Sequence, residues 1–245
     1  MEAFGNAKTL RNNNSSRFGK FIQLEFNSSG FIAGASIVSY LLEKSRVIRQ
    51  GKGERSFHIF YQLINGATPE QRAKLAIEKP DAFEFLKNSG CYTVKTIDDV
   101  EEFQATQKAF DIIGFTAEEK ENINNIVAGI LHLGNMTFVA SYGEGSGLGD
   151  KVIEKAAEIL GVDHTKLEQA LCKPRIRAGN ETITTHLNVE KASYSREALC
   201  KALYHRLFLW LVNRINDTLT EERAHSFIGV LDISGFEIFQ VNSKI

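Results

Sequence analysis

A continuous apolar run near the C-terminus, FIGVLDI at 227–233, constrains the fold more than any other feature. It has the length of a strand, and apolar residues on both of its faces predict a place inside a sheet, covered above and below. A second sheet-forming region lies near the other end. In FIQLEF (21–26), Ile22, Leu24 and Phe26 alternate with Phe21, Gln23 and Glu25, a period of two. FIAGASIVSYLL (31–42) follows after Asn27-Ser28-Ser29-Gly30, so the two stretches predict a β-hairpin. Three strands drawn from the two sequence ends would leave a long hydrophobic edge, and such a sheet is expected to need further strands.

Between the strands the period lengthens. FHIFYQLI (57–64) predicts a short helix stopped by Asn65-Gly66, and Pro69 and Pro80 open further helical pieces. Residues 101–113 are helical in pattern up to Gly114. Thr116 with Glu119 forms a capping box that starts a helix through Leu133, ended by Gly134. SYGEGSGLG (141–149) is expected to be a mobile surface loop. Short helices follow around 150–160 and 164–171, and residues 173–188 predict a protruding loop or small hairpin. The longest helix is expected over Ser193–Leu219. Leu199, Leu203, Leu207, Leu211, Ile215 and Leu219 recur at four there, with Phe208 and Val212 alongside, which marks one buried stripe. The fold class is α/β: a mostly helical middle with a little sheet contributed by the sequence ends.

Composition narrows the function. A formal net charge of −1 gives no broad attraction for nucleic acid or an anionic membrane, so neither is expected as a partner. No apolar run reaches membrane-spanning length. The opening MEAFGNAK carries no basic and apolar leader, and Cys91, Cys172 and Cys200 lack any paired metal spacing. Together they predict reduced, mostly buried thiols in an intracellular protein.

Two constellations could carry chemistry. NNNSSRFGK (12–20) sets three amides and two hydroxyls beside an arginine, groups able to hydrogen-bond phosphate oxygens and a magnesium ion; an ordinary polar surface loop is the alternative. DISGFE (232–237) follows the apolar strand directly. A carboxylate at a strand's C-terminal end sits where open α/β sheets place ligands, and a glycine three residues on can bring its N–H close to a phosphate; a plain strand-end turn is the alternative. The phosphate cradle Gly-x-x-x-x-Gly-Lys-Ser/Thr does not occur in the chain. Of the six histidines, His132 in LHLGN is expected to be a structural partner and not a base.

NNNSSRFGKFI resembles switch I of myosin motors, and LDISGFEIF resembles their switch II. Kinesin switches are related, but Phe18-Gly19 and Phe236 follow the myosin form. EAFGNAKT (2–9) before the first switch, and SYLLEKSRV (39–47), ERSFHIFYQL (54–63), GILHLGN (129–135), HLNVEK (186–191) and ALYHRLFLWLVNRIN (202–216) between the two, continue the likeness in the family's order. It is nearest the conventional, filament-forming class II.

The resemblance implies a partial motor of the P-loop NTPase type. Switch I would span 9–20, a hairpin of the central sheet 21–42, a mostly helical upper actin-binding subdomain 43–226, and a strand with switch II 227–239. The P-loop, lower actin-binding half, converter and tail are expected to lie outside these residues. By the same resemblance, Asn12 would reach the phosphates of ATP, Ser15 the γ-phosphate or attacking water, and Ser16 the Mg²⁺. Asp232 would stand in the outer shell of that ion. The Gly235 N–H would bind the γ-phosphate, and Arg17 with Glu237 would close as a salt-bridge latch. Residues 173–188 resemble an actin-contacting loop, with Lys173, Arg175 and Arg177 facing acidic actin surface and Glu181 supplying a permanent negative charge. The implied setting is the cytoplasm, on the actin cytoskeleton, with the rest of the heavy chain as partner. Two alternatives remain open here: a stand-alone, non-catalytic actin-binding or regulatory module, and a kinesin-like nucleotide switch.

Overall fold

The structure, a computed structural model, describes residues 1–141, 145–149, 151–178, 181–219 and 225–233. A single helical turn, Glu2–Gly5 (α1), leads into Asn6–Ala7 (β1), which pairs with Ser15–Ser16 (β2) across the polar loop. Gly19–Phe26 (β3) and Ile32–Tyr40 (β4) form the expected antiparallel hairpin, with Gly19 opposite Tyr40 and Leu24 opposite Ala35. Asn27 closes its turn: the side-chain Oδ1 accepts from the Ser29 and Phe31 amides, each at 3.0 Å. Gly30 supplies the left-handed conformation this turn requires, φ +81°.

The helical middle follows the capping signals closely. His58–Gly66 (α2) is buried from His58 through Ile64. Thr68 and Gln71 make a capping box on Pro69–Lys74 (α3), and Pro80 opens a 3₁₀ turn before Glu84–Lys87 (α4). Asp98 caps Asp99–Ile113 (α5), which ends at left-handed Gly114. The Thr116/Glu119 box caps Ala117–Gly134 (α6) as expected. Then come Phe138–Ala140 (β5) and Ser146–Leu148 (β6), Val152–Leu160 (α7), His164–Cys172 (α8), the hairpin of Arg175–Ala178 (β7) with Glu181–Thr184 (β8), and the long Val189–Leu219 (α9). Ser226–Asp232 (β9) pairs with the free side of β3, giving the order β4-β3-β9. The chain is thus mostly helical, with a smaller sheet built from strands near both ends.

Three expectations need correction. The glycine-rich tract is not loop throughout: residues 146–148 pair antiparallel with β5, and Ser146 is buried, because the strand lies against α8 and α9. Residues 142–144 and 150 lie outside the described residues. The buried stripe of α9 also runs differently. It passes through Ala192, Cys200, Tyr204, Leu207, Phe208, Leu211 and Val212, while Leu199 and Leu203 are only partly buried and Leu219 is exposed. Aromatic partners decide this: Tyr204 stacks on Phe57 and Phe60, at centroid distances of 4.9 and 5.4 Å, and so turns its own side of the helix inward.

The third correction concerns β9. Its residues are exposed along the whole strand, Ile228 at 58% and Leu231 at 60%, so it is not covered on two faces. The long helix packs on β4 at the opposite side of the sheet, and the outer edge of β9 has no partner strand among the described residues.

Beneath the helices lies a buried ion pair. Arg55, with no exposed surface, grips Asp99 through two bonds, Nη2 to Oδ1 at 2.6 Å and Nη1 to Oδ2 at 3.2 Å. Its guanidinium lies 3.8 Å from the centre of the Tyr61 ring, and Asn65 donates to Asp99 Oδ2 at 3.3 Å. Asp99 opens α5, where the helix dipole favours a carboxylate. Replacing Asp99 by Ala strands a buried cation and is expected to cost about 3–5 kcal/mol in urea unfolding. The double change Arg55→Met with Asp99→Leu should cost clearly less, and equal losses in the two proteins would show that the charges do not act as a pair.

Candidate functional site

The polar loop is held by its own amides. Thr9 N donates to the Asn12 carbonyl at 2.8 Å, and Thr9 Oγ1 accepts from Asn12 N at 3.1 Å. Asn12 Oδ1 in turn accepts from Asn14 N at 2.9 Å, and Asn13 Nδ2 donates to Thr96 Oγ1 at 3.0 Å. These are local side-chain turns of the kind asparagine favours. Asn14 Oδ1 accepts from Asn6 Nδ2 at 3.1 Å and lies 3.0 Å from His58 Nε2. A cleft of about 560 Å³ borders the loop, with Asn12, Asn13, Asn14, His58 and Phe110 among its walls. Phe18 anchors the far end of the loop: it is buried, meets Phe208 of α9 edge-on at 5.1 Å, and presses on Gly5, where a Cβ would stand 2.3 Å from the ring.

Arg17 is engaged by a neighbour that its motif does not announce. Its Nε lies 2.6 Å from Glu43 Oε2, and its Nη1 donates to Ser15 Oγ at 3.3 Å. Glu43 is shared with Arg46 at 2.7 Å, and Arg46 continues to Glu54 at 3.0 Å and to the Arg55 carbonyl at 3.2 Å. Burial pushes the Glu43 carboxyl up, but the hydrogen bonds from Arg46 and Arg17 outweigh it and hold it below the usual range. Burial would likewise lower Arg46, and its two carboxylates reverse that.

Asp232 closes β9 opposite Lys20, and the two side chains form an ion pair at 2.5 Å. This register brings Asp232 to the end of the sheet where β3 begins at Gly19, just after Ser15, Ser16 and Arg17. Arg17 touches Ser15, and Asp232 pairs with Lys20, three positions after Arg17 along the chain; Gly235 and Glu237 lie outside the described residues, and with them the Arg17–Glu237 latch. Among the described residues no group of three or more His, Cys, Asp and Glu could hold a metal ion, and no helix is long and apolar enough to cross a membrane.

Lys173, Arg175, Arg177 and Glu181 are all exposed on or beside the β7–β8 hairpin, which is tied at its base by Leu187 N to Cys172 O at 2.9 Å. In sequence they precede the N-terminus of α9, whereas Asn216 near its C-terminus bonds Ile37 of β4. His132 is buried, and its Nε2 lies 2.8 Å from the Leu75 carbonyl, a structural partner as expected. Sequence patterns missed Glu43 and His58. Both lie 26 or more residues from their partners in the loop, and neither stands in a spaced motif; the lone histidine at the head of an apolar helix was the only signal.

The model of the myosin head (motor domain) family matches residues 1–244, and the chain belongs to that family. It is 54% identical over 246 residues to the non-muscle myosin-2 heavy chain of Acanthamoeba castellanii, 99% of this chain and 16% of that protein. It is 49% identical over 247 residues to the non-muscle myosin heavy chain of Drosophila melanogaster, covering 99% of this chain and 12% of that one. With the myosin ID heavy chain of Dictyostelium discoideum it shares 46% identity over 254 residues, 99% of this chain and 23% of the other. The chain therefore spans less than a quarter of each of these relatives. The kinesin-like alternative is set aside by this match.

The Glu43 network predicts a pH dependence. A folded pKa below the ordinary 4.5 means that its ion pairs stabilise fully above about pH 4.5, and that this contribution is lost as pH falls through the depressed value. Glu43→Gln should be less stable than the parent at neutral pH, by on the order of 1 kcal/mol for this half-exposed pair, and the gap should close in acid. Unfolding curves between pH 3 and 7 check it; a gap independent of pH would assign the loss to packing.

Proposed function

We propose that this chain is the part of an actin-based, class II myosin motor that responds to ATP at one end of its sheet and meets the actin filament at the β7–β8 hairpin. The observation that supports the reading is the cross-strand register of Lys20 with Asp232, which sets the first residue of the second motif opposite the chain just after Ser15, Ser16 and Arg17. The donors there are the Ser15 and Ser16 hydroxyls, the Asn12 amide and the Asp232 carboxylate, hard oxygens suited to Mg²⁺ and phosphate. Ser16 would hold the ion and Asp232 would stand behind it; magnesium supplies neutralisation of phosphate charge. Asn12 orients the phosphates, and Ser15, steadied by Arg17, positions the γ-phosphate or the attacking water. Gly235 would read the γ-phosphate through its N–H. Arg17 would exchange Glu43 for Glu237 when the two loops close, shutting out bulk water. Class II membership rests on the identity to the two non-muscle heavy chains, and with it go a cytoplasmic setting on the cytoskeleton and association with the rest of the heavy chain.

A P-loop cradle is needed to hold β- and γ-phosphates, and the 245 residues contain none, so the chain by itself is expected not to turn over ATP. Phosphate release from the purified chain should equal that of an Arg17→Ala/Asp232→Ala control; release well above that control would refute the expectation. In the complete heavy chain, Arg17→Ala should cut the phosphate burst by on the order of a hundredfold. For actin, charge reversal of Arg175 and Arg177 to Glu should weaken cosedimentation several-fold at low salt, with the difference shrinking as salt is raised. Binding to actin unaltered by those changes would remove the hairpin from the interface. Actin binding that persists in the isolated chain, with no response to nucleotide in the complete one, would favour the non-catalytic module.

A further inference from the structure

We infer that His58 is a positioning residue for the nucleotide-facing loop, holding Asn12–Ser15 in place through a hydrogen bond from its Nε2 to Asn14 Oδ1. The inference deepens the nucleotide reading of that loop and rests on it.

The direction of the bond follows from the surroundings. Asn14 turns its Nδ2 toward the Glu2 carboxylate, 3.5 Å away, and Asn6 Nδ2 already donates to Asn14 Oδ1. The atom facing His58 is therefore an acceptor, so Nε2 must carry the proton. His58 Nδ1 is buried without a hydrogen-bond partner, as an unprotonated ring nitrogen there would be. Burial, with Arg55 close by, lowers the imidazole to about 4, so at neutral pH the Nε2 proton is its only one.

The anchor itself is rigid. His58 begins α2, buried through Ile64, and stands three residues after Arg55, which Asp99 clamps. On the loop side the bond reaches further than one residue. Asn14 N is tied to Asn12 Oδ1, and Asn12 to Thr9, so Asn14 fixes the amide proposed to meet the phosphates. Ser15 follows Asn14 directly and pairs with Ala7. A connected run thus leads from Asp99 through Arg55 and His58 to Asn14 and Asn12.

Amide hydrogen exchange over residues 9–16 of the purified chain tests the tie without any nucleotide. His58→Leu and Asn14→Ala should each speed exchange at Asn13–Ser15 about tenfold, the worth of one hydrogen bond with a buried partner. Combining them should add nothing further. His58→Gln, whose Nε2 reaches a similar point, should stay near the parent. Asn14→Ala lies on the exposed loop, so it keeps the test alive if His58→Leu does not fold. Unchanged loop exchange in the single variants, additive effects, or no rescue by glutamine would overturn the tie. In the complete heavy chain, a fluorescent ATP analogue should bind about tenfold more weakly to His58→Leu, with affinity restored by glutamine. A loop response without any loss of affinity would overturn the assignment of this loop to nucleotide while leaving the hydrogen bond established.

Discussion

Tyr204 is the contact on which the rest of the molecule depends. It is wholly buried midway along α9, stacks on Phe57 and Phe60 of the α2 region, and donates its hydroxyl to the Phe4 carbonyl at 2.8 Å. A buried phenol must find such an acceptor, and this one belongs to the turn that leads into the polar loop. One side chain therefore joins the long helix, the buried helix and the approach to the candidate site. One turn further along, Phe208 meets Phe18 at the loop's other end. The loop is thus free to be polar because both of its ends are nailed to an aromatic core.

Charge placed inside that core sharpens the arrangement. An apolar pair in place of Arg55 and Asp99 would avoid the cost of desolvating two ions, so the pair is better understood as fixing geometry than as adding stability. Its bidentate form sets the orientation of α5 against the segment entering α2. Arg46 extends the same logic, because it binds Glu43, Glu54 and the Arg55 carbonyl together, and Glu43 is the partner of Arg17. The catalytic candidate and the structural ion pair are connected through adjacent charged groups.

What could be read from sequence divides by range. The capping box at Thr116, the helix opened by Pro69, the turn after Phe26 and the ends of α2 and α6 were legible because each rests on residues within about four positions. The β3–β4 hairpin was legible for the same reason. The facing of α9 was not, since leucine periodicity is silent about which neighbours are aromatic, and Tyr204 won over Leu203. The exposure of β9 was hidden because apolarity states what a strand prefers and not what lies next to it. Within the candidate site, Asn12, Ser15, Ser16, Arg17 and Asp232 were marked by motif, while the pairing of Asp232 with Lys20 came only from the sheet register. Glu43, His58 and the Arg55–Asp99 pair act across 26 to 44 residues with no spacing to betray them.

The same long helix also sets how the two ends of the chain relate. Asn216, near its C-terminus, reads both backbone groups of Ile37: Oδ1 accepts from the amide and Nδ2 donates to the carbonyl, each at 2.8 Å. A side-chain amide here takes the place of a neighbouring strand on the edge of β4. Two opposed bonds allow neither sliding nor rotation of that strand without moving the helix. From Val189 to Leu219 is 31 residues, roughly 46 Å of continuous helix. The β7–β8 hairpin with Arg175 and Arg177 precedes its N-terminus in the chain. The polar loop is fastened to the same helix, where Phe18 meets Phe208 edge-on at 5.1 Å, so the loop, the edge of β4 and the chain entering from the hairpin all meet one element.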